Sequence, residues 1–233
     1  FDKFVGYVSG NIDFRSHVDG AGAFDWWHDL QPSNEEGYTT HLITSHAVEF
    51  IKANKNRPFF LYVPHEAPHY PYQGPTDPPH RTVDGEFNNK GARTDTKEAY
   101  REMVIEMDRG VGEIVTALRD ASILDNTIVI FCSDNGATTL GSNGALRGFK
   151  STNFEGGHRV PCVIQWSGQI DAGNESSQLM ASMDFLPSLF GLAGLRLPRR
   201  VELDGMDLSE VILNERGPIK RSMVWNGTTI RRG

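Results

Sequence analysis

Runs of apolar and polar positions divide the chain into helices and short strands. Apolar residues recur at steps of three and four over residues 39–54 and 96–121, which predicts two amphipathic helices. A third, shorter helix is predicted over residues 183–193. Continuous apolar, often β-branched runs predict three buried strands, at residues 58–63, 127–132 and 161–166.

The order strand, long helix, strand predicts a parallel βαβ unit. In sheets of this kind, ligands collect beyond the carboxyl ends of the strands. The first strand leads into His65 and His69, and the second leads into Asp134 and Asn135. We therefore expect two polar clusters that are distant in sequence to meet at one edge of a mostly parallel sheet.

Residues 65–69 read H-E-x-x-H, the motif of zinc proteases. That chemistry needs a helix, so that both histidines lie one turn apart on one face. Pro68 falls inside the required turn, and Pro64 and Pro71 flank it. We interpret the segment as an extended loop that carries His65 and His69, and an ordinary surface loop is the alternative.

A loop rich in glycine, serine and asparagine follows the strand at 127–132. Its first residues include Asp134 and Asn135, whose oxygens suit a hard cation. Cationic side chains further along suit an anionic group: Arg147, Lys150, His158 and Arg159. A polar turn with surface charges is the alternative interpretation.

Composition limits the classes of function. The chain has 233 residues, 38% of them hydrophobic, enough for one large domain or for one domain and part of another. A net charge of −7 argues against a nucleic-acid partner bound through general basicity. Cys132 and Cys162 lie in apolar runs, which indicates core packing rather than a disulfide framework. No apolar stretch is long enough to span a membrane.

The motifs of the polar loop resemble those of the type I sulfatase family. They are Ser133 to Gly136, Gly141 to Lys150, and Glu155 to Pro161. Other segments are similar to the same family in the same order: Pro58 to Leu61, Ala67 to Pro71, Asp184 to Gly194, and Leu203 to Gly205. Within the family, the chain is most similar to arylsulfatase A-like and N-acetylgalactosamine-6-sulfatase-like enzymes.

The resemblance implies a sulfuric ester hydrolase of the alkaline-phosphatase-like α/β fold, with a central, mostly parallel sheet flanked by helices. Such enzymes hold one calcium ion, and Asp134 and Asn135 match two of its ligands. Lys150 matches a lysine that contacts the substrate sulfate. His69 matches a histidine beside the sulfate and the leaving oxygen, where an imidazole can donate a proton near neutral pH.

Two further residues are candidates for substrate binding. Arg147 would contact the substrate, or it would form a salt bridge to Glu155 or another carboxylate that shapes the loop. His65 would line the pocket, or it would be a solvated loop histidine.

The chain departs from the family at the nucleophile. Sulfatases form formylglycine in a Cys/Ser-x-Pro-x-Arg motif, and no such motif occurs among the 233 residues. The remaining calcium ligands of the family also have no match. We therefore interpret the chain as an internal portion of a sulfatase, incomplete at both ends and inactive by itself. Residues 1–194 would form part of the catalytic domain, 195–218 a linker, and 219–233 the start of a smaller subdomain.

The expected substrate is a sulfated carbohydrate or an aryl sulfate ester. Two alternatives stay open: a phosphodiesterase or phosphonate hydrolase of the same superfamily, and a homologue that binds sulfated glycans without turnover. The resemblance alone suggests a periplasmic, lysosomal or secreted location.

Overall fold

The computed structural model describes residues 1–87, 91–198 and 200–232, which divide into two compact units, 1–124 and 125–233. The helices are α1 (Thr39–Asn54), α2 (Thr96–Asp120), α3 (Glu155–His158), α4 (Phe185–Leu192) and α5 (Ser209–Ile212). The strands are β1 (Val5–Gly6), β2 (Trp27–His28), β3 (Gln31–Pro32), β4 (Val129–Cys132), β5 (Cys162–Gln165), β6 (Ser222–Trp225) and β7 (Thr229–Arg232). Among these described residues, no helix is both long enough and apolar enough to cross a membrane.

The two long helices confirm the sequence prediction to within one residue and pack on each other in the first unit. Helix α1 buries Ile43, Ala47 and Ile51, which belong to its predicted apolar face. For α2, the apolar steps predict a buried face made of Tyr100, Val104, Met107, Val111, Ile114 and Leu118. Of these only Leu118 is buried, and the helix otherwise buries a row that is one position away, which includes Ala99 and Met103. Gly110 lies on that row directly against Thr44 of α1, so the two helices approach closely at this point.

The segment before α1 has no regular period, and a buried carboxylate organises it. Asp13 is fully buried and accepts backbone N–H groups from both sides. Its Oδ1 accepts those of Arg15 and Ser16, at 2.9 and 2.8 Å. Its Oδ2 accepts those of His80 and Arg81, at 2.8 and 3.0 Å. One side chain therefore ties the start of the chain to the loop that precedes α2.

The predicted mostly parallel sheet is not present in the described residues. Every strand pair is antiparallel: β1–β2–β3, β4–β5 and β6–β7. Residues 58–63, a predicted strand, belong to no strand, and Phe60 and Tyr62 are 62% and 67% exposed. A strand needs a neighbour for its backbone groups, and no described segment pairs with this one. The coarser α/β class holds, since helices and strands are both present.

Cys132 and Cys162 correct a second expectation. They face each other in the β4–β5 ladder, yet both are exposed instead of packed in a core. The chain reverses between the two strands, so β5 runs back along β4 as a two-stranded ribbon. Such a ribbon has two faces to cover, and no described element buries these thiols.

The second unit also contains the predicted third helix, as a 3₁₀ turn over Ser182–Asp184 followed by α4. Asp184 is fully buried and joins three segments. It accepts the N–H groups of Ala181 and Met206 at 2.8 and 2.9 Å and pairs with Arg221 at 2.6 Å. Gly194 follows the helix with φ +64°, as an αL helix end requires.

The segment predicted as a linker contains α5, with Leu208 and Val211 buried, and its residue 199 lies outside the described residues. Residues 219–233 contain the β6–β7 hairpin, and residue 233 lies outside the described residues. The boundaries 1–194, 195–218 and 219–233 stay predictions.

Candidate functional site

Glycines allow the polar loop between β4 and β5 to fold tightly on itself. The N–H of Gly136 donates to the carbonyl of Gly157 at 3.0 Å, and the N–H of Gly156 donates to that of Arg147 at 2.8 Å. A side chain at Gly136 would overlap the carbonyl of Gly156, so the close approach requires glycine here. The start and the end of the loop are thereby held together.

Asn143 fixes the middle of the same loop. Its Oδ1 accepts the N–H of Ala137 at 2.8 Å, and its Nδ2 donates to the carbonyl of Gly148 at 2.9 Å. The N–H of Lys150 then donates to the carbonyl of Ala137 at 2.9 Å. These bonds tie the backbone of Lys150 to Ala137, which is two residues after Asn135, in a part of the loop without regular secondary structure.

Asp134 and Asn135 present oxygen donors at the start of the loop. Asp134 is exposed, and its Oδ1 accepts the N–H of Asn135 at 2.8 Å. The hydroxyl of Ser133 donates to the carbonyl of Asn135 at 2.9 Å, which fixes the turn. A carboxylate and an amide oxygen form a donor set suited to a hard cation such as Ca²⁺, so the residues present fit part of a calcium site.

The four cationic candidates of this loop differ in whether they have a partner in the structure. Arg159 pairs with Glu155 at 3.2 Å, and the ring of His158 stacks on Trp225 with centroids 4.1 Å apart. Glu155 also pairs with Arg231, at 2.9 Å. The described residues therefore give Glu155 two arginine partners, and the alternative salt bridge from Arg147 to Glu155 is not formed.

Arg147 and Lys150 keep charges that no described carboxylate neutralises. The guanidinium of Arg147 lies over the ring of Phe154, 3.8 Å from its centroid. Lys150 is half-buried, and no hydrogen bond or ion pair joins its ammonium group to the described part of the chain. Arg147 and Lys150, the two residues of this loop that were predicted to contact the substrate, can therefore each bind an anion.

In the first unit, residues 65–69 form no helix, which confirms that the H-E-x-x-H match is not the zinc-protease arrangement. The alternative of a solvated His65 is wrong, because both of its ring nitrogens are buried and have no partner among the described residues. Burial lowers the pKa of His65 to about 4, so its imidazole is neutral at physiological pH.

His69 is oriented by its own backbone neighbour. Its Nδ1 lies 2.9 Å from the carbonyl oxygen of Tyr70, and its ring lies against that of Tyr70 with centroids 4.2 Å apart. A carbonyl can only accept, so Nδ1 carries the proton of this hydrogen bond.

Two features of the first unit were not predicted from the sequence. Glu66, between the two loop histidines, is buried, and its Oε1 accepts the N–H of Ile12 at 2.9 Å. His28, Glu35 and His46 bring two imidazoles and a carboxylate together. These three come from different elements at irregular spacing, so no sequence motif signals them.

The chain matches the sulfatase family model over residues 1–195. It is 36% identical over 203 residues to N-acetylgalactosamine-6-sulfatase of Sus scrofa, covering 84% of this chain and 36% of that protein. It is 38% identical over 179 residues to human arylsulfatase A, covering 74% of this chain and 32% of that enzyme. The chain therefore spans about a third of the length of the curated relatives that it matches.

Among solved structures, the chain is similar to Ps i-CgsB in complex with k-i-k-neocarrahexaose. The TM-score is 0.78 at 27% identity, over 94% of this chain and 51% of that one. The family match extends from residue 1 to residue 195 and so includes both the loop that carries His65 and His69 and the polar loop between β4 and β5. This chain belongs to the sulfatase family.

Proposed function

We propose that the protein carrying this chain hydrolyses sulfate esters of sulfated carbohydrates. Two relatives, N-acetylgalactosamine-6-sulfatase and arylsulfatase A, are named for action on sulfate esters. Their similarity to this chain supports sulfate ester hydrolysis as the reaction class. The observation that carries the proposal is one loop, folded tightly at its glycines, on which the side-chain oxygens of Asp134 and Asn135 and the unneutralised ammonium group of Lys150 lie together.

Lys150 and Arg147 are assigned to the sulfuryl group. Negative charge on the sulfuryl oxygens and on the leaving oxygen must be offset as the S–O bond breaks, and positioned cations lower the barrier to that step. Lys150 is tied to Ala137 through its backbone and is half-buried, which holds its position. Arg147, resting on Phe154, is assigned to binding rather than to bond cleavage.

Asp134 and Asn135 would hold a calcium ion together with ligands from outside this chain. When bound, a divalent cation offsets negative charge on an oxygen of the ester. The exposed carboxylate of Asp134 stays anchored through its Oδ1 to the N–H of Asn135, so both residues are held in one turn.

His69 is assigned to the leaving group. With the Nδ1 proton directed at the Tyr70 carbonyl, a protonated imidazole would donate its Nε2 proton to the departing alkoxide. His65 is assigned to substrate binding as a neutral imidazole, since its lowered pKa keeps it uncharged.

No residue of this chain fits the formylglycine nucleophile. Cys132 and Cys162 lie within β4 and β5, and neither is followed by the proline and arginine of the modification motif. We expect the 233-residue chain by itself to release no sulfate.

Matched esters test the proposal on the protein that carries this chain. We expect sulfate release from an aryl sulfate and from a sulfated oligosaccharide, with a higher kcat/KM than for the phosphate ester of the same phenol. A preference for the phosphate ester would assign the protein to phosphoryl chemistry instead. Binding of the sulfated oligosaccharide without turnover of either ester would show a non-catalytic homologue.

A further inference from the structure

Two imidazoles and one carboxylate converge in the first unit, far along the chain from the polar loop. His28 ends β2, Glu35 lies between β3 and α1, and His46 is on α1. The Nε2 atoms of His28 and His46 lie 3.0 and 2.9 Å from Oε2 of Glu35. One ligand atom from each side chain lies within 4.8 Å of the other two.

The surroundings hold these groups in place. The indole of the fully buried Trp26 donates to Oε2 of Glu35 at 3.0 Å. Nδ1 of His46 is buried, has no hydrogen-bond partner among the described residues, and lies 3.7 Å from Oε2 of Glu49, one turn further along α1. That separation is longer than a hydrogen bond, so Glu49 does not fix the tautomer of His46.

The spacing of the three ligand groups is close to that of a metal site. Trp26 and His28 lie 3.0 Å from Oε2 of Glu35, and Nε2 of His46 lies 2.9 Å from both Oε1 and Oε2. Tetrahedral metal bonds of about 2.0–2.1 Å place ligand atoms about 3.3 Å apart, so a few tenths of an ångström of expansion would admit an ion.

The carboxylate is already ionised. Burial opposes the charge on Glu35, but hydrogen bonds from His46, Trp26 and His28 outweigh burial and lower its pKa to about 2.

We propose that His28, Glu35 and His46 bind a divalent transition-metal ion, with zinc as the probe. Two imidazole nitrogens and one carboxylate oxygen suit zinc rather than calcium, which prefers oxygen ligands throughout. The side chain of His28 is 41% exposed, so the ion is reachable from solvent and a water can complete its coordination. The bound ion joins the β2–β3 hairpin to α1.

Zinc titration of the chelator-stripped protein tests this site by calorimetry. Both cysteines are replaced by serine, so that thiols at positions 132 and 162 cannot bind the metal, and calcium is present to occupy oxygen-only sites. We expect one zinc ion per chain and a melting temperature that rises with zinc concentration. Bound Co²⁺ should give the visible spectrum of a low-symmetry site.

His28→Gln is the diagnostic variant, because this partly exposed side chain can be replaced without opening the core. We expect it to weaken zinc binding by at least about 100-fold and to abolish the Co²⁺ spectrum. His41→Gln is the matched control, since the side chain of His41 is similarly exposed, at 47%, and also pairs with a carboxylate, Glu106, at 2.7 Å. Its zinc affinity should be unchanged.

Three results would overturn the proposal: no zinc uptake by the parent protein, equal affinity in His28→Gln, or an equal loss in His41→Gln. None of these readouts depends on sulfate release, so the zinc site and the proposed function fail separately.

Discussion

At the scale of single residues, buried carboxylates accept backbone N–H groups that a neighbouring strand would accept in a sheet. The segment before α1 has only short strand pairs, and its backbone N–H groups need other acceptors. Asp13 accepts four of them, and Glu66 accepts that of Ile12. Sequence periodicity cannot reveal this kind of order, because it depends on which single polar side chains are buried.

Asp13→Asn should destabilise the protein strongly. An amide in place of Oδ2 would turn a donor towards the N–H groups of His80 and Arg81, and leaving both unpaired costs about 2–6 kcal/mol of unfolding free energy. Chemical denaturation at neutral pH measures the loss. Asp19→Asn is the control, because Asp19 uses only Oδ1, towards Ala21 and Ala23, and should change stability by less than about 0.5 kcal/mol. Equal effects of the two variants would contradict the role given to Asp13.

Glu66 should make stability fall as pH rises. Burial raises the pKa of Glu66 well above its ordinary value of 4.5, with Asp13 and Asp25 adding to the effect. The folded state therefore keeps a proton that the unfolded state releases above about pH 4.5, and this proton uptake on folding penalises the native state increasingly at higher pH.

Glu66→Gln tests that linkage, because glutamine keeps an acceptor for Ile12 and does not titrate. The unfolding free energy of the variant minus that of the parent should increase from about pH 5 to about pH 8. Glu36→Gln, at an exposed position, should give a flat difference. A flat difference for Glu66→Gln as well would show that its carboxyl ionises in the folded protein.

At the scale of elements, helices were predictable and strand pairing was not. The apolar steps over residues 39–54 and 96–121 locate α1 and α2 because helical hydrogen bonds are local. Whether residues 58–63 form a strand depends on a partner elsewhere in the chain, which an apolar run does not specify. The same limit explains why β4 and β5 were located but their antiparallel pairing and their exposure were not.

Two glycines of α2 should respond oppositely to alanine. A side chain at Gly110 would meet the hydroxyl of Thr44 on α1, whereas nothing lies within 4 Å of a side chain at Gly112. Gly112→Ala should stabilise the protein by about 0.8–1.0 kcal/mol through helix propensity. Gly110→Ala should destabilise it by about 1–2 kcal/mol, since overpacking exceeds that gain. Thermal unfolding measures both, and stabilisation by both would contradict the close packing of α1 on α2.

At the scale of the whole molecule, the site residues were recognisable because the polar loop carries a contiguous pattern of glycines and charges. Asp134, Asn135 and Lys150 all lie on that one loop, so their proximity along it follows from sequence. The partners of the other charged side chains of the loop could not be predicted from sequence. Glu155 binds Arg231 of the β6–β7 hairpin, and His158 stacks on Trp225. Those contacts come from distant residues, and they leave Arg147 and Lys150 as the cations of the loop without a carboxylate partner among the described residues.

The proposed hydrolysis of sulfate esters depends most on Lys150, and the kcat/KM for a sulfate ester measures the role of this residue directly. In the protein that carries this chain, Lys150→Ala should lower kcat/KM by about 10²–10³-fold, because it removes a positioned charge that stabilises the transition state. Lys220→Ala, at an exposed lysine of the same unit, should leave kcat/KM unchanged. Sulfate release by Lys150→Ala at the rate of the parent protein would contradict the account.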